Sequence, residues 1–304
     1  MISTAATGSR RWLLRLGLAG IAMRAFPAGF EVDRLLGAAA ASGVSHKAIY
    51  RADAVVTLFS VTVFSRSNVG SGFATICECQ EPGRLVLTLR FGGGSVPGRA
   101  RGLNRLGYIQ EVVVERDGAP HEAAYFGFIT SNTEETVEQA RKTLIATGPV
   151  APYIAVDAHA VAGSTRSVLA KLFVPSSFTW EQFKPLSTWI RDRFQSTVSE
   201  TRDAEALPRT FLYAIRGVMR DPASRVDTGY FYNGNQYAMH VEKNLDARGS
   251  IRYKGEVRNL ATGKTTPFKF WVEHGAALPR RIEMQVRSYL KIAFDTDSNA
   301  TDQS

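Results

Sequence analysis

Ile282-Glu-Met-Gln-Val-Arg-Ser-Tyr-Leu-Lys-Ile-Ala-Phe294 decides the fold of this chain. Ile282, Met284, Val286, Leu290 and Ile292 fall on one side of an extended backbone. Glu283, Gln285, Arg287, Lys291 and Asp295 fall on the other. Successive side chains of a strand point to opposite faces, so this alternation describes a strand dry on one side and wet on the other. The same pattern recurs upstream. Ile251, Tyr253 and Val257 alternate with Arg252, Lys254, Glu256 and Arg258, and Phe268, Phe270 and Val272 oppose Lys269 and Glu273. Asn233-Gly234, between Gly229–Tyr232 and Gln236–Lys243, is a strong two-residue hairpin signal. The C-terminal part therefore reads as neighbouring antiparallel strands of one half-solvated sheet.

Further toward the N-terminus the text is also β-like. Ala54–Phe64 and Gly70–Cys79 flank a turn expected at Ser65–Asn68, and Leu85–Phe91 alternates cleanly. Tyr108–Glu115 and Ala123–Thr130 form a hairpin around Asp117-Gly118. Two stretches read as helices. Thr133–Ala146 follows Ser131 and Asn132 as cap residues, and Thr179–Phe194 carries Leu186, Trp189, Ile190 and Phe194 at helical spacing. Between and after them, Ile154–Ala160, Val168–Val174 and Thr210–Met219 read as strands. Two helices are too few for a doubly wound fold. The expectation is a mainly β (α+β) protein: a large curved antiparallel sheet or partial barrel, with two helices over its concave apolar face.

The chain has 304 residues, 44% hydrophobic and 21% charged, which is a globular composition able to bury a full core. Its net charge of +9 comes mainly from arginine, and Arg10, Arg11, Arg15 and Arg24 contribute four of those charges near the N-terminus. Charge alone does not imply a nucleic-acid partner. The two cysteines, Cys77 and Cys79, share one face of a strand, too far apart for an unstrained disulfide, and no second Cys/His cluster completes a metal site.

Ser9-Arg10-Arg11-Trp12-Leu13-Leu14 resembles the twin-arginine export signal, and a short apolar stretch, Leu16–Met23, follows it. That resemblance implies a signal peptide over residues 1–28, with a cut as late as about residue 41, and a periplasmic or secreted protein; a cytoplasmic address is the alternative. The remainder divides into one β-rich domain, 48–296, in two halves (48–148 and 150–296), and a disordered tail, 297–304. Leu278-Pro279-Arg280-Arg281-Ile282-Glu283 before an alternating terminal strand resembles exported bacterial proteins of unknown function. Those are compared with the lipoprotein-carrier fold, a half-barrel with helices over an apolar cavity. The resemblance implies a hydrophobic or lipid ligand in the concavity of the sheet.

Arg90–Gly107 is the stretch richest in candidate binding residues. It reads as a long glycine-rich connection between two strands, carrying Arg90, Arg99, Arg101, Asn104 and Arg105. Successive glycine amides at 92–94 form a potential anion nest with the arginines as charge partners. Gly93–Gly98 has the gap of a phosphate-binding loop, but Arg99-Ala100 stands where Lys-Ser/Thr belongs. No G-x-G-x-x-G precedes a helix either, so no nucleotide or other cofactor is implied.

No catalytic constellation emerges. His46, His121, His159, His240 and His274 are scattered, and His240 is placed on the wet face of the Asn233-Gly234 hairpin. Ser71 lacks the strand–turn–helix setting of a nucleophile elbow. Glu111 and Glu115 lie on one strand face roughly 13 Å apart, too far for a glycosidase pair, and read as solvated. The wet face carries Arg252, Lys254, Arg258, Lys269, Arg287 and Lys291 with only Trp271 and Tyr289 as rings, too few to stack a nucleic-acid strand. The leading expectation is a non-catalytic exported protein binding an amphiphile. Its alternatives are an interaction protein using the basic face against an anionic membrane surface or cell-wall polymer, and an enzyme using the Arg99–Arg105 loop on an anionic substrate.

Overall fold

The computed structural model describes residues 43–58, 61–96, 98–100, 106–131, 153–160, 165–173, 209–232, 235–245, 249–287 and 290–297. The signal-like segment, both expected helices and residues 298–304 lie outside them.

The strands are β1 (Val44–Leu58), β2 (Val61–Glu81), β3 (Arg84–Ser95), β4 (Leu106–Arg116), β5 (Ala119–Ser131), β6 (Tyr153–Ala160), β7 (Thr165–Phe173), β8 (Arg225–Tyr232), β9 (Asn235–Leu245), β10 (Ile251–Asn259), β11 (Thr265–Val272), β12 (Arg281–Arg287) and β13 (Leu290–Thr296). One helix, α1 (Phe211–Arg220), precedes β8. All thirteen strands form one sheet in the order β6-β7-β5-β4-β3-β2-β1-β13-β12-β11-β10-β9-β8. Every pairing is antiparallel except β5 with β7. β1 and β13 meet in a seam registered from Tyr50↔Thr296 to Val56↔Leu290, while β7 of the second half pairs onto β5 of the first.

Several local readings shift. The stretch Ile282–Phe294 is not one strand but the hairpin β12–β13, with Ile282 opposite Phe294 and Met284 opposite Ile292. The alternation holds up to Gln285 opposite Lys291, and a register shift then sets Arg287 opposite Leu290. Ser65–Asn68 is not a turn but part of β2. Asn68 adopts φ 54° at a register shift against β1, and its amide donates to Asp53 Oδ1 at 2.8 Å. This is a bulge, which an asparagine tolerates in the left-handed region. The Asp117-Gly118 hairpin forms as expected, with both residues at positive φ (51° and 74°), the signature of a two-residue turn matching strand twist.

Thr210–Met219 is helix rather than strand. Phe211, Ala214, Ile215, Val218 and Met219 recur at helical spacing, and they pack on Val226, Tyr230, Met239, Val241, Tyr253 and Phe270 of the inner face of β8–β11. The opposite side of α1 reaches the first half: Leu212 packs with Ile109, Tyr125 and Phe231, and Tyr213 with Leu87, Val113 and Ala123. The sheet is rolled tightly enough for Tyr125 of β5 to stack on Tyr232 of β8, ring centroids 5.1 Å apart, though these strands lie ten places apart in the sheet. The helix thus fills the groove between two walls of one curled sheet.

The Leu-Pro motif acquires a role in this frame. Tyr50, fully buried, donates its hydroxyl to the Pro279 carbonyl at 2.7 Å, while Leu278 packs with Ala48, Tyr50 and Phe294. The connection before β12 is thereby tied to the seam. No helix among the described residues is long and apolar enough to cross a membrane.

Candidate functional site

The glycine-rich stretch is mostly strand. Gly92, Gly93 and Gly94 pair with Gly72–Ser71 and Phe73 of β2 on one side and with Leu106–Tyr108 of β4 on the other. Their amides belong to a ladder flanked on both sides, so the anion nest is not formed there. Glycine is required at Gly92, where a Cβ would come within 2.7 Å of the Phe73 ring, and a Cβ on Gly93 would lie a tight 3.2 Å from the Ser71 carbonyl oxygen. The connection shrinks to residues 96–105, opening with a turn in which the Arg99 and Ala100 amides donate to Val96 O at 2.9 and 2.8 Å. Arg99 is exposed. Arg90 projects from the face opposite Leu89 and Phe91, aligned with Gln110, and its buried Nε has no hydrogen-bond partner among the described residues. Arg101, Asn104 and Arg105 lie outside the described residues.

Glu111 and Glu115 are the larger correction. Both face inward, and Glu111 is fully buried. Its carboxyl receives the Leu212 amide at 2.9 Å, the Tyr213 amide at 3.0 Å and the Thr210 hydroxyl. A strand thus supplies the cap for a helix whose first amides would otherwise lack acceptors. Burial pushes this carboxyl up to about 7, against the lowering effect of its hydrogen bonds. Further along the helix, buried Arg216 reaches Glu78 at 2.7 Å and Glu115 at 3.6 Å. Burial works against the Glu78 carboxylate, but Arg216, with Arg220 and His46, outweighs it and holds that carboxyl below its usual range. Burial and the Glu115 carboxylate push the Tyr213 phenol up to about 12. This network clamps α1 in place. It also means that the inner face, offered by the sequence as a ligand concavity, is occupied by α1 across β8–β11.

The open cavity lies on the other side of those strands. A cleft of about 610 Å³ runs over the outer face of β8–β10. Strand register sorts its side chains into three cross-strand rows. Asp227, His240 and Glu256 form the first; Gly229, Ala238 and Arg258 the second; Phe231 and Gln236 the third, where Leu260 bonds through its amide to Gln236 O at 3.0 Å. In the first row His240 Nδ1 lies 2.8 Å from Asp227 Oδ1. In the second row Gly229 and Ala238 form a floor of small residues, letting a guest approach the backbone, with Arg258 beside them. In the third, Phe231 is buried against Ile109 and Tyr125, while Leu260 is half exposed.

Comparisons with known proteins leave the function open. No protein-family model matches the chain. No curated protein matches it. Among solved structures, one match is the crystal structure of a beta-barrel-like protein of a domain of unknown function, DUF1849, from Brucella abortus. It is 10% identical, covers 84% of this chain and 96% of that one, and has a TM-score of 0.39.

Within the cleft, the sequence singled out His240 and, as part of the basic wet face, Arg258. The partner of His240 was legible: with Tyr232 opposite Asn235 across the Asn233-Gly234 turn, counting back along both arms sets Asp227 against His240. Glu256 comes from the next hairpin and needs its register too. Among the described residues no group of three or more His, Cys, Asp or Glu side chains is placed to hold a metal ion. The cleft also lacks a Ser or Cys nucleophile among its described lining residues. Cys77 and Cys79 are not disulfide-bonded.

The basic face is more balanced than its composition implied. Glu242, Lys254, Lys269 and Glu283 stand side by side across β9–β12, so each lysine has an acidic neighbour. Arg281 bonds Asp295 at 2.6 and 2.7 Å and Glu283 at 2.9 Å, and Lys291 reaches Glu283 at 3.2 Å. Opposite charges directly across a sheet stabilise it modestly, and here they account for several of the cations without any partner.

Proposed function

We propose that this is an exported, non-catalytic binding protein that holds an amphiphilic ligand in the cleft across β8–β10. The cleft itself carries the reading. Its volume of about 610 Å³ falls inside the range of small-molecule sites, and its lining sets the ionisable Asp227–His240–Glu256 row at one end and the exposed Leu260 at the other. The export signal resemblance at Ser9–Leu14 supports an address outside the cytoplasm. The ligand is assigned to the cleft rather than to the inner face because α1 fills the latter over β8–β11. The charge-compensated rows of the outer face weigh against an interaction protein working through excess basic charge.

The test is native mass spectrometry of protein purified from its own host, with solvent extraction of any co-purifying molecule. Ala238→Trp, which fills the floor of the cleft, should abolish retention, while Ala238→Ser should not. Retention unchanged by the tryptophan, but lost when Arg99, Arg101 and Arg105 are together replaced by Ala, would move the site to the 96–105 connection and favour an anionic substrate there.

A further inference from the structure

We infer that the cleft selects amphiphiles with a protonated amine head group over anionic ones. This rests on the reading of the cleft as a ligand site. The Asp227–His240–Glu256 row spans three neighbouring strands, about 10 Å at the usual strand spacing. Asp227 and Glu256 contribute four acceptor oxygens between them, with Asp227 Oδ1 lying 2.8 Å from His240 Nδ1. An ammonium has donors only, so it matches such a row as an anion cannot.

Charge points the same way. Asp227 and Glu256 oppose one cation, Arg258, among the described lining residues, leaving the cleft net negative. Arg258 sits one row away, opposite Ala238, where it would flank a chain rather than meet the head. From the first row to the third the cleft runs four residues along the strand, about 13 Å. There the exposed Leu260, beside Gln236, supplies apolar surface for a tail. An anionic head has only Arg258 to pair with and would stand beside two carboxylates, which discriminates against it as well as failing to attract it.

The experiment is calorimetric titration of the full chain with octylamine, octyl sulfate and octyl glucoside, each below its micelle concentration, at pH 7.5 and low salt. Octylamine should bind at least tenfold more tightly than octyl sulfate. The Asp227→Asn/Glu256→Gln double variant should erase that preference while leaving octyl glucoside binding unchanged. Added salt should narrow the gap, because the row is partly exposed and screened. Octyl sulfate or octyl glucoside binding as tightly as octylamine would overturn the head-group selection. If Ala238→Trp blocked that binding, the cleft itself would stand. Binding of none of the three would overturn the cleft reading and the selection with it.

Discussion

Glu111 offers the sharpest test of how the fold is held. A carboxyl moved by burial from its usual 4.5 to about 7 binds its proton more tightly folded than unfolded. The sign follows from linkage. Stability from this group is fully present below pH 4.5 and is lost as pH rises through 7, because ionised Glu111 must remain in a fully buried place. The full effect is worth about 3 kcal/mol, most of it between pH 5 and 8. Glu111→Gln removes the titration and keeps an acceptor for the Leu212 amide, but it sets an amide donor against the Tyr213 amide. Near pH 5 the variant should therefore be less stable than the parent by about 1 kcal/mol, one net hydrogen bond. By pH 8 it should equal or exceed the parent. Urea denaturation of both proteins at half-unit steps between those limits measures the difference, and subtracting the curves cancels every other titrating group. A gap constant to within ~0.5 kcal/mol would refute the reasoning, being below the non-additivity of independent sites. A parent that gains on the variant with rising pH would show that the three donors outweigh burial, making Glu111 an ordinary ionised cap.

Three further outcomes can be checked. Arg216→Met should cost about 2–4 kcal/mol in chemical denaturation, since it leaves Glu78 and Glu115 facing α1 without their cation; Glu78 is partly exposed, so the loss falls below a fully buried pair. Glu78→Gln added to Arg216→Met should recover part of it. Tyr50→Phe should lower stability by about 1–2 kcal/mol through the unmet Pro279 carbonyl, and should speed amide exchange in residues 278–282 more than elsewhere. Gly72→Ala would place its Cβ 2.8 Å from the Gly92 carbonyl, a backbone atom that must shift, and should cost about 1–3 kcal/mol, seen as a lower Tm. An unchanged Tm would mean that β2 and β3 yield there freely.

Much of the second half was readable from the chain alone, because the features concerned are local. Period-2 alternation in Ile251–Asn259 and Ile282–Phe294 sets which side chains share a face, whatever the neighbouring strand is. The dipeptides Asn233-Gly234 and Asp117-Gly118 allow few turn geometries, and a tight turn sets the register of its two arms. Asp227 opposite His240 was therefore already implied. Tertiary structure alone decided what the faces meet. An apolar run such as Phe211–Met219 suits strand or helix by itself, and it became helix where the groove of the rolled sheet could cover it on two sides, leaving Gly217 to solvent. Glu111 reads as a solvated carboxylate until a helix 99 residues downstream lays its first amides on it. Gly92, Gly93 and Gly94 read as a loop until pairing with β2 and β4 makes them strand and the Phe73 ring takes the Cβ space of Gly92. Pairing of β1 with β13 and of β5 with β7 depends on contacts between chain-distant strands. Such contacts leave no periodic mark on the sequence, since their free energy comes from surfaces that exist only once the sheet has curled.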